Sequence, residues 1–152
     1  MAVAALAPAA QAGPPAPDVP TAIAVEAGNK PYLQAHAEGV QIYTCNATWT
    51  LVAPRADLYD GRGRHIGTHF AGPTWQLYDG STTVASRVAG VNVDPTAVDW
   101  LLLDATPTVD GRLGDTTFIQ RINTTGGRAP AGTCEAGTQL EVPYTADYVF
   151  WR

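Results

Sequence analysis

The sequence predicts an all-β domain, a β-sandwich or flattened β-barrel of about nine or ten short strands, closed by one disulfide. Three observations lead there. Fifteen Gly and twelve Pro are spread along the 152 residues, which interrupts the chain too often for long helices. From about residue 30 onward apolar and polar residues alternate with a period of two, and no helix-length pattern of 3.6 residues appears outside the N-terminal tail. Finally, the only cysteines are Cys45 and Cys134. In an exported chain such a pair reads as a disulfide, the alternative being two buried thiols.

Residues 1–12 open with the apolar run Met1–Ala10, and Ala10-Gln11-Ala12 has the A-x-A form that precedes signal-peptidase cleavage. The run is too short to span a bilayer, which takes about twenty residues. It reads as a signal peptide truncated at its upstream end, since no basic segment precedes it. The alternative is an Ala/Pro tail. Residues 13–29 form a Pro-rich leader, expected to be extended and mobile, with a short strand or turn at Ile23–Gly28. Residues 30–152 then make a single β domain with one core.

Within it, Val40, Ile42 and Thr44 alternate with Gln41, Tyr43 and Cys45. Trp49, Leu51 and Ala53 alternate with Thr48, Thr50 and Val52, and Pro54 is expected to end that run. Asp60-Gly61 and Asp79-Gly80 are turn dipeptides. Asp99–Asp104 has a continuous apolar centre, as a strand covered on both faces would. Phe118, Gln120 and Ile122 alternate with Ile119, Arg121 and Asn123; Tyr144, Ala146, Tyr148 and Phe150 face opposite Thr145, Asp147, Val149 and Trp151. A disulfide would tie an early strand to the loop before the last ones. Its long loop sets an upper bound of roughly 4–5 kcal/mol on the stabilisation.

Taken together, five phrases are familiar: Gly39–Cys45, Gly67–Trp75 followed by Asp79-Gly80-Ser81, Trp100–Leu103, Ile119–Gly127 and Val142–Phe150. In this order and spacing, from about Tyr32 to Trp151, the chain resembles a family of secreted bacterial and fungal proteins known only as a domain of unknown function. The resemblance implies an extracytoplasmic β-rich domain with cysteines at these two positions, and no reaction. Some fungal relatives carry a malate dehydrogenase label. Gly61–Gly67 misses the dinucleotide fingerprint by one position and lacks a βαβ context, so that activity is not expected.

Composition narrows the partners. The net charge is −5 and the nine Lys and Arg are scattered, which argues against nucleic acid and anionic membranes. The Ala- and Arg-rich composition points to a bacterial source, where the sequons at Asn46 and Asn123 carry little meaning.

Six residues are candidates for a site: His65, His69, Trp75, Tyr78, Asp79 and Arg121. No metal or cofactor is expected. On a regular strand His65 and His69 share a face about 13 Å apart, too far to ligate one ion. A bulge at Gly67 would shorten the gap, though not by enough. Trp75 and Tyr78, near Asp79 and Arg87, could form a carbohydrate-stacking platform, or Trp75 could be core. Arg121, inside a strand-like run, needs a partner, and Asp147 or Glu141 is expected to supply it. Asp104, Asp110 and Asp115 do not match a calcium loop and read as solvated turns. Neither Ser81 nor Ser86 lies in a nucleophile elbow. The first expectation is therefore a secreted or cell-envelope module that binds a small molecule or cell-wall polysaccharide through loops around Asp60–Asp79. The alternatives are a hydrolase or lyase using His65, His69, Asp79 and Arg121, and a structural or stress-related envelope protein.

Overall fold

The computed structural model describes residues 4–5 and 13–152, so the segment read as a signal peptide lies almost wholly outside the described residues. Eight antiparallel strands follow one another around a closed barrel. They are β1 (Pro31–Asn46), β2 (Thr48–Tyr59), β3 (His65–Phe70), β4 (Thr74–Leu77), β5 (Thr82–Val91), β6 (Trp100–Val109), β7 (Phe118–Gly126) and β8 (Gln139–Trp151). The barrel closes where β1 pairs with β8 along nearly its whole length, from Pro31 opposite Trp151 to Thr44 opposite Gln139. All-β architecture and the Cys45–Cys134 disulfide are thus present, with a barrel rather than a sandwich.

The strands are fewer and longer than the residue pattern suggests, because several prolines stand inside them. Pro54 does not end β2, which runs on to Tyr59; Pro107 and Pro143 lie within β6 and β8. Proline removes one ladder donor, so it is tolerated where a strand has lost its neighbour on one side. β3 pairs β2 only from Ala56 onward, and β7 pairs β6 only over Leu101–Asp104. Pro54 and Pro107 fall just beyond those ladders.

The interior is filled by one parity of each strand. Leu33, Ala35, Ala37, Leu58, Trp75, Leu77, Leu103, Ile119, Tyr144, Ala146, Tyr148 and Phe150 form the main core. Small residues let neighbouring strands approach at the bends. A Cβ at Gly39 would stand 2.1 Å from the Arg55 carbonyl oxygen, and one at Gly67 would stand 2.1 Å from that of Gln76.

A second apolar layer lies outside the barrel. Ile122, Val149 and Trp151, with Trp100 and Phe118 beside them, are covered by Val19 and Val25 of the leader. Ile23, in a 3₁₀ turn over Thr21–Ile23, is 0% exposed. Its carbonyl accepts from Gln120 Nε2 at 2.7 Å, and Gln120 Oε1 accepts from Trp151 Nε1 at 2.9 Å. The leader is extended over much of its length, but it is docked on the barrel. This explains the apolar centre of β6: Leu103 points inward, while Leu102 is buried on the outer side.

The two ends differ. At one, the loop between β6 and β7 places fully buried Leu113 in the core. At the other, the disulfide joins the end of β1 to the loop between β7 and β8, with Cα atoms 5.8 Å apart. Nearby, the Tyr43 hydroxyl donates to the Gly127 carbonyl at 2.5 Å.

The close approach at Gly39 gives a direct test. Gly39→Ala forces backbone to move and is expected to destabilise the barrel by about 1–3 kcal/mol in a denaturant titration. Gly61→Ala, where an added Cβ meets nothing within 4 Å, is expected to leave the midpoint unchanged.

Candidate functional site

Strand parity, rather than nearness in sequence, sorts the six candidates. His69 lies opposite Ala56 and Trp75 on β3's two neighbours, and all three face the barrel interior. His65 lies opposite Tyr59 on the outer surface, because a register irregularity between Leu58 and Tyr59 reverses the alternation. The bulge therefore places the two histidines on opposite faces of the sheet, instead of sharing one as on a regular strand. On the outside, His65 Nε2 meets the Asp57 carboxylate at 3.0 Å and Nδ1 meets the Tyr78 hydroxyl, so both ring nitrogens are engaged.

Trp75 and Tyr78 separate by alternation alone, since a step of three residues changes face. Trp75 is 1% exposed inside the barrel and Tyr78 is 70% exposed outside it. The stacking platform suggested by their spacing does not form. Asp79 stands at the plugged end, where its carboxylate accepts from Ser81 Oγ at 2.6 Å, from Ser81 N–H at 3.0 Å and from Arg112 N–H at 2.8 Å. These bonds hold its pKa below the usual carboxylate value. Ser81 Oγ in turn accepts from Leu113 N–H at 3.2 Å. Asp79 thereby latches the loop that plugs the barrel.

Arg121 also departs from expectation. It points inward from β7, opposite Leu101 and Tyr148. Asp147 and Glu141 point outward, where Asp147 meets His36 at 2.8 Å and Glu141 meets Arg55 at 3.0 Å. Neither can reach into the interior, so the expected ion pair is not made. Instead Arg121 Nε donates to the Asp99 carbonyl at 2.9 Å.

At the open end, His69, Trp75 and Arg121 share a cavity of about 540 Å³ with Gln41, Tyr148, Leu101 and Leu103. Its sides are the projecting parts of β2 (Leu51–Pro54) and β5 (Ala85–Arg87), and the Gly72-Pro73 turn is its low wall. The His69 ring stacks on Trp75 at 4.2 Å between centroids, and Tyr148 meets both rings at 5.0 and 5.3 Å. His69 Nδ1–H donates to the Thr74 carbonyl at 2.8 Å, which leaves Nε2 as a bare acceptor with no partner among the described residues. Trp75 Nε1 is buried and has no hydrogen-bond partner among the described residues. Burial lowers the His69 pKa to about 3, while it raises those of Tyr144 and Tyr148, so all three are neutral near pH 7. The Tyr144 and Tyr148 hydroxyls lie 3.1 Å apart.

A larger concavity, about 1000 Å³, lies on the outer surface between β1 and the turn after β2. Two pairs of its polar groups meet each other, His36 with Asp147 and Asp60 with Arg64 at 2.7 Å, while the Arg62 and Arg112 side chains are in no ion pair among the described residues. The smaller cavity enters the barrel between Trp75, Tyr148, Leu101 and Leu103 and holds the acceptor of His69 Nε2, and so is the better candidate. Tyr148 and Gln41, which the sequence reading passed over, line it. Tyr148 was within reach of that reading, since it shares its parity with Ala146 and Phe150.

The quartet needed by a hydrolase or lyase does not assemble. His65 is outside, Asp79 is at the plugged end, and only His69 and Arg121 meet. Ser86 lines the cavity, but β5 leaves it exposed and no hydrogen bond joins it to His69.

The neutral state of His69 is measurable. With a folded pKa near 3 against about 6.5 when unfolded, the unfolded chain binds the extra proton between those values. The His69 contribution to stability is therefore complete above about pH 6.5 and is lost progressively as pH falls towards 3. In an NMR titration the His69 ring resonances are expected to stay flat from pH 8 to pH 5. A midpoint near 6.5 would show the ring to be solvated.

Comparison with curated proteins and with solved structures finds no match for the chain. A family model, described as a protein of unknown function, matches residues 26–152, which takes in all eight strands and the five phrases noted in the sequence. The chain belongs to the DUF3455 family.

Proposed function

We propose that the domain is an extracytoplasmic binding module that takes a small, largely apolar molecule into the open end of its barrel. The observation that carries this reading is the cavity of about 540 Å³ walled by Trp75, Tyr148, Leu101 and Leu103. It falls within the usual size of small-ligand sites, and such sites combine apolar walls with a few unsatisfied polar groups. Here those groups are His69 Nε2 and the Arg121 guanidinium. A concave aromatic cavity with an open mouth suits a compact ligand better than a polysaccharide chain, which needs a long open face on which to lie. The disulfide favours an oxidising compartment, in keeping with export.

The test is a titration with 1-N-phenylnaphthylamine, a neutral fluorophore that brightens in apolar surroundings. Saturable enhancement is expected, and Ala85→Leu, which fills the cavity wall, is expected to weaken it by about tenfold while the circular dichroism is retained. Tyr78→Ala on the outer surface is expected to change nothing. If the probe does not bind, or if filling the cavity leaves its affinity intact, the domain is a structural envelope protein or binds elsewhere.

A further inference from the structure

We infer that the ligand carries an anionic oxygen group, a carboxylate or phosphate ester, which is held at the mouth of the cavity by Arg121, Arg87 and Arg128. This rests on the cavity being the binding site and adds the chemical class of what enters it.

Beside the apolar cavity lies a second concavity of about 330 Å³, lined by Tyr43, Arg87, Val98, Asp99, Arg121 and Arg128. Arg87 and Arg121 line both spaces, so the basic site adjoins the aromatic one. Three guanidinium groups stand here with one carboxylate, that of Asp99. It lies 3.6 Å from Arg87 Nη2 and also accepts from Asn92 Nδ2 at 2.9 Å. Arg121 donates to the Asp99 carbonyl at 2.9 Å and meets the Tyr148 hydroxyl, and Arg128 donates to the Ala97 carbonyl at 3.4 Å. No described carboxylate is within ion-pair distance of either. Each carbonyl uses one donor, whereas a guanidinium has five.

The local balance is therefore positive in a protein whose net charge is −5. At physiological salt, charges beyond about 8 Å are largely screened, so the nearby arginines outweigh the distant acids. The site is also held in place. The guanidinium of Arg87 packs where a side chain on residue 90 would be, since a Cβ at Gly90 would come within 2.3 Å of Nη2. Arg128 follows Gly127, whose carbonyl is held by Tyr43, on the loop that Cys134 fixes to β1. Arginine forks match carboxylate and phosphate oxygens in pairs, which distinguishes this site from one that merely tolerates charge.

The test uses three ligands with one apolar chain, decanoate, decyl phosphate and decanol, measured by calorimetry on the full chain. At least one of the anions is expected to bind about tenfold or more tightly than decanol, and to weaken as salt is raised. Arg121→Gln is expected to abolish the difference in affinity between decanol and the anions. If that variant does not fold, Arg128→Gln, on the loop, is expected to reduce the preference several-fold. Equal binding of decanol and both anions would overturn the anion site but leave the apolar cavity standing. An anion preference that survives both substitutions would also overturn it. Failure of all three ligands to bind would remove the cavity reading as well.

Discussion

The ladder between β1 and β8 is the contact on which the rest of the molecule depends. It joins the first strand to the last over more than a dozen residue pairs and turns a meander with two edges into a barrel with none. Closure fixes which parity of each strand faces inward. Once Ala35, Ala37, Ala146 and Tyr148 point to the interior, His36 and Asp147 must point to solvent. Every assignment of a functional side chain in this protein follows from that choice, modified only where a bulge resets it.

An eight-stranded barrel has an interior that side chains can fill, or that can be left partly open for one small molecule. This chain does both. At one end the Asp79–Ser81 latch draws in the loop carrying Leu113 and closes the core. At the other, β1, β2 and β5 project beyond the short β3–β4 pair, which ends at the Gly72-Pro73 turn. Unequal strand length thus makes a gap in the wall, and the cavity sits behind it. The leader supports the arrangement from outside by covering the apolar outer faces of β6, β7 and β8, which would otherwise meet water.

Much of this was legible in the sequence, and the limits have physical causes. Period-two alternation gave the strand class, and the two Asp-Gly turns are turns. The parity of β8 was readable at its start, where Tyr144 and Ala146 alternate with Thr145 and Asp147, but not at its end, where Val149 and Trp151 are apolar because the leader covers them. Strand ends were harder, since a proline stops a strand only where both neighbouring ladders are present. Pro54 stands where one of them is missing. The two histidines were misplaced relative to each other because a single bulge opposite Leu58 and Tyr59 inverts one end of β3; Gly67 marked the place for a bulge, but not that it would turn the two rings to opposite faces. The cavity itself was out of reach. It takes residues from all eight strands, and only the closed topology brings those positions together.

Arg121 shows most clearly how topology overrides local expectation. A charged residue in a central strand ordinarily implies a partner, because removing a guanidinium from water costs several kcal/mol unless it is compensated. Its neighbours on β8 include Asp147, one residue from its register partner Tyr148, yet a one-residue offset is a change of face. The only nearby carboxylate, that of Asp99, is already shared by Arg87 and Asn92. The charge of Arg121 is felt instead by His69, Tyr144 and Tyr148, all of which stay neutral. Leucine at this position would pack against Leu101, Ile119 and Tyr148 without desolvating a charge. A barrel shaped for stability alone would favour it, whereas a half-buried cation at the mouth of an aromatic cavity suits the capture of an anion.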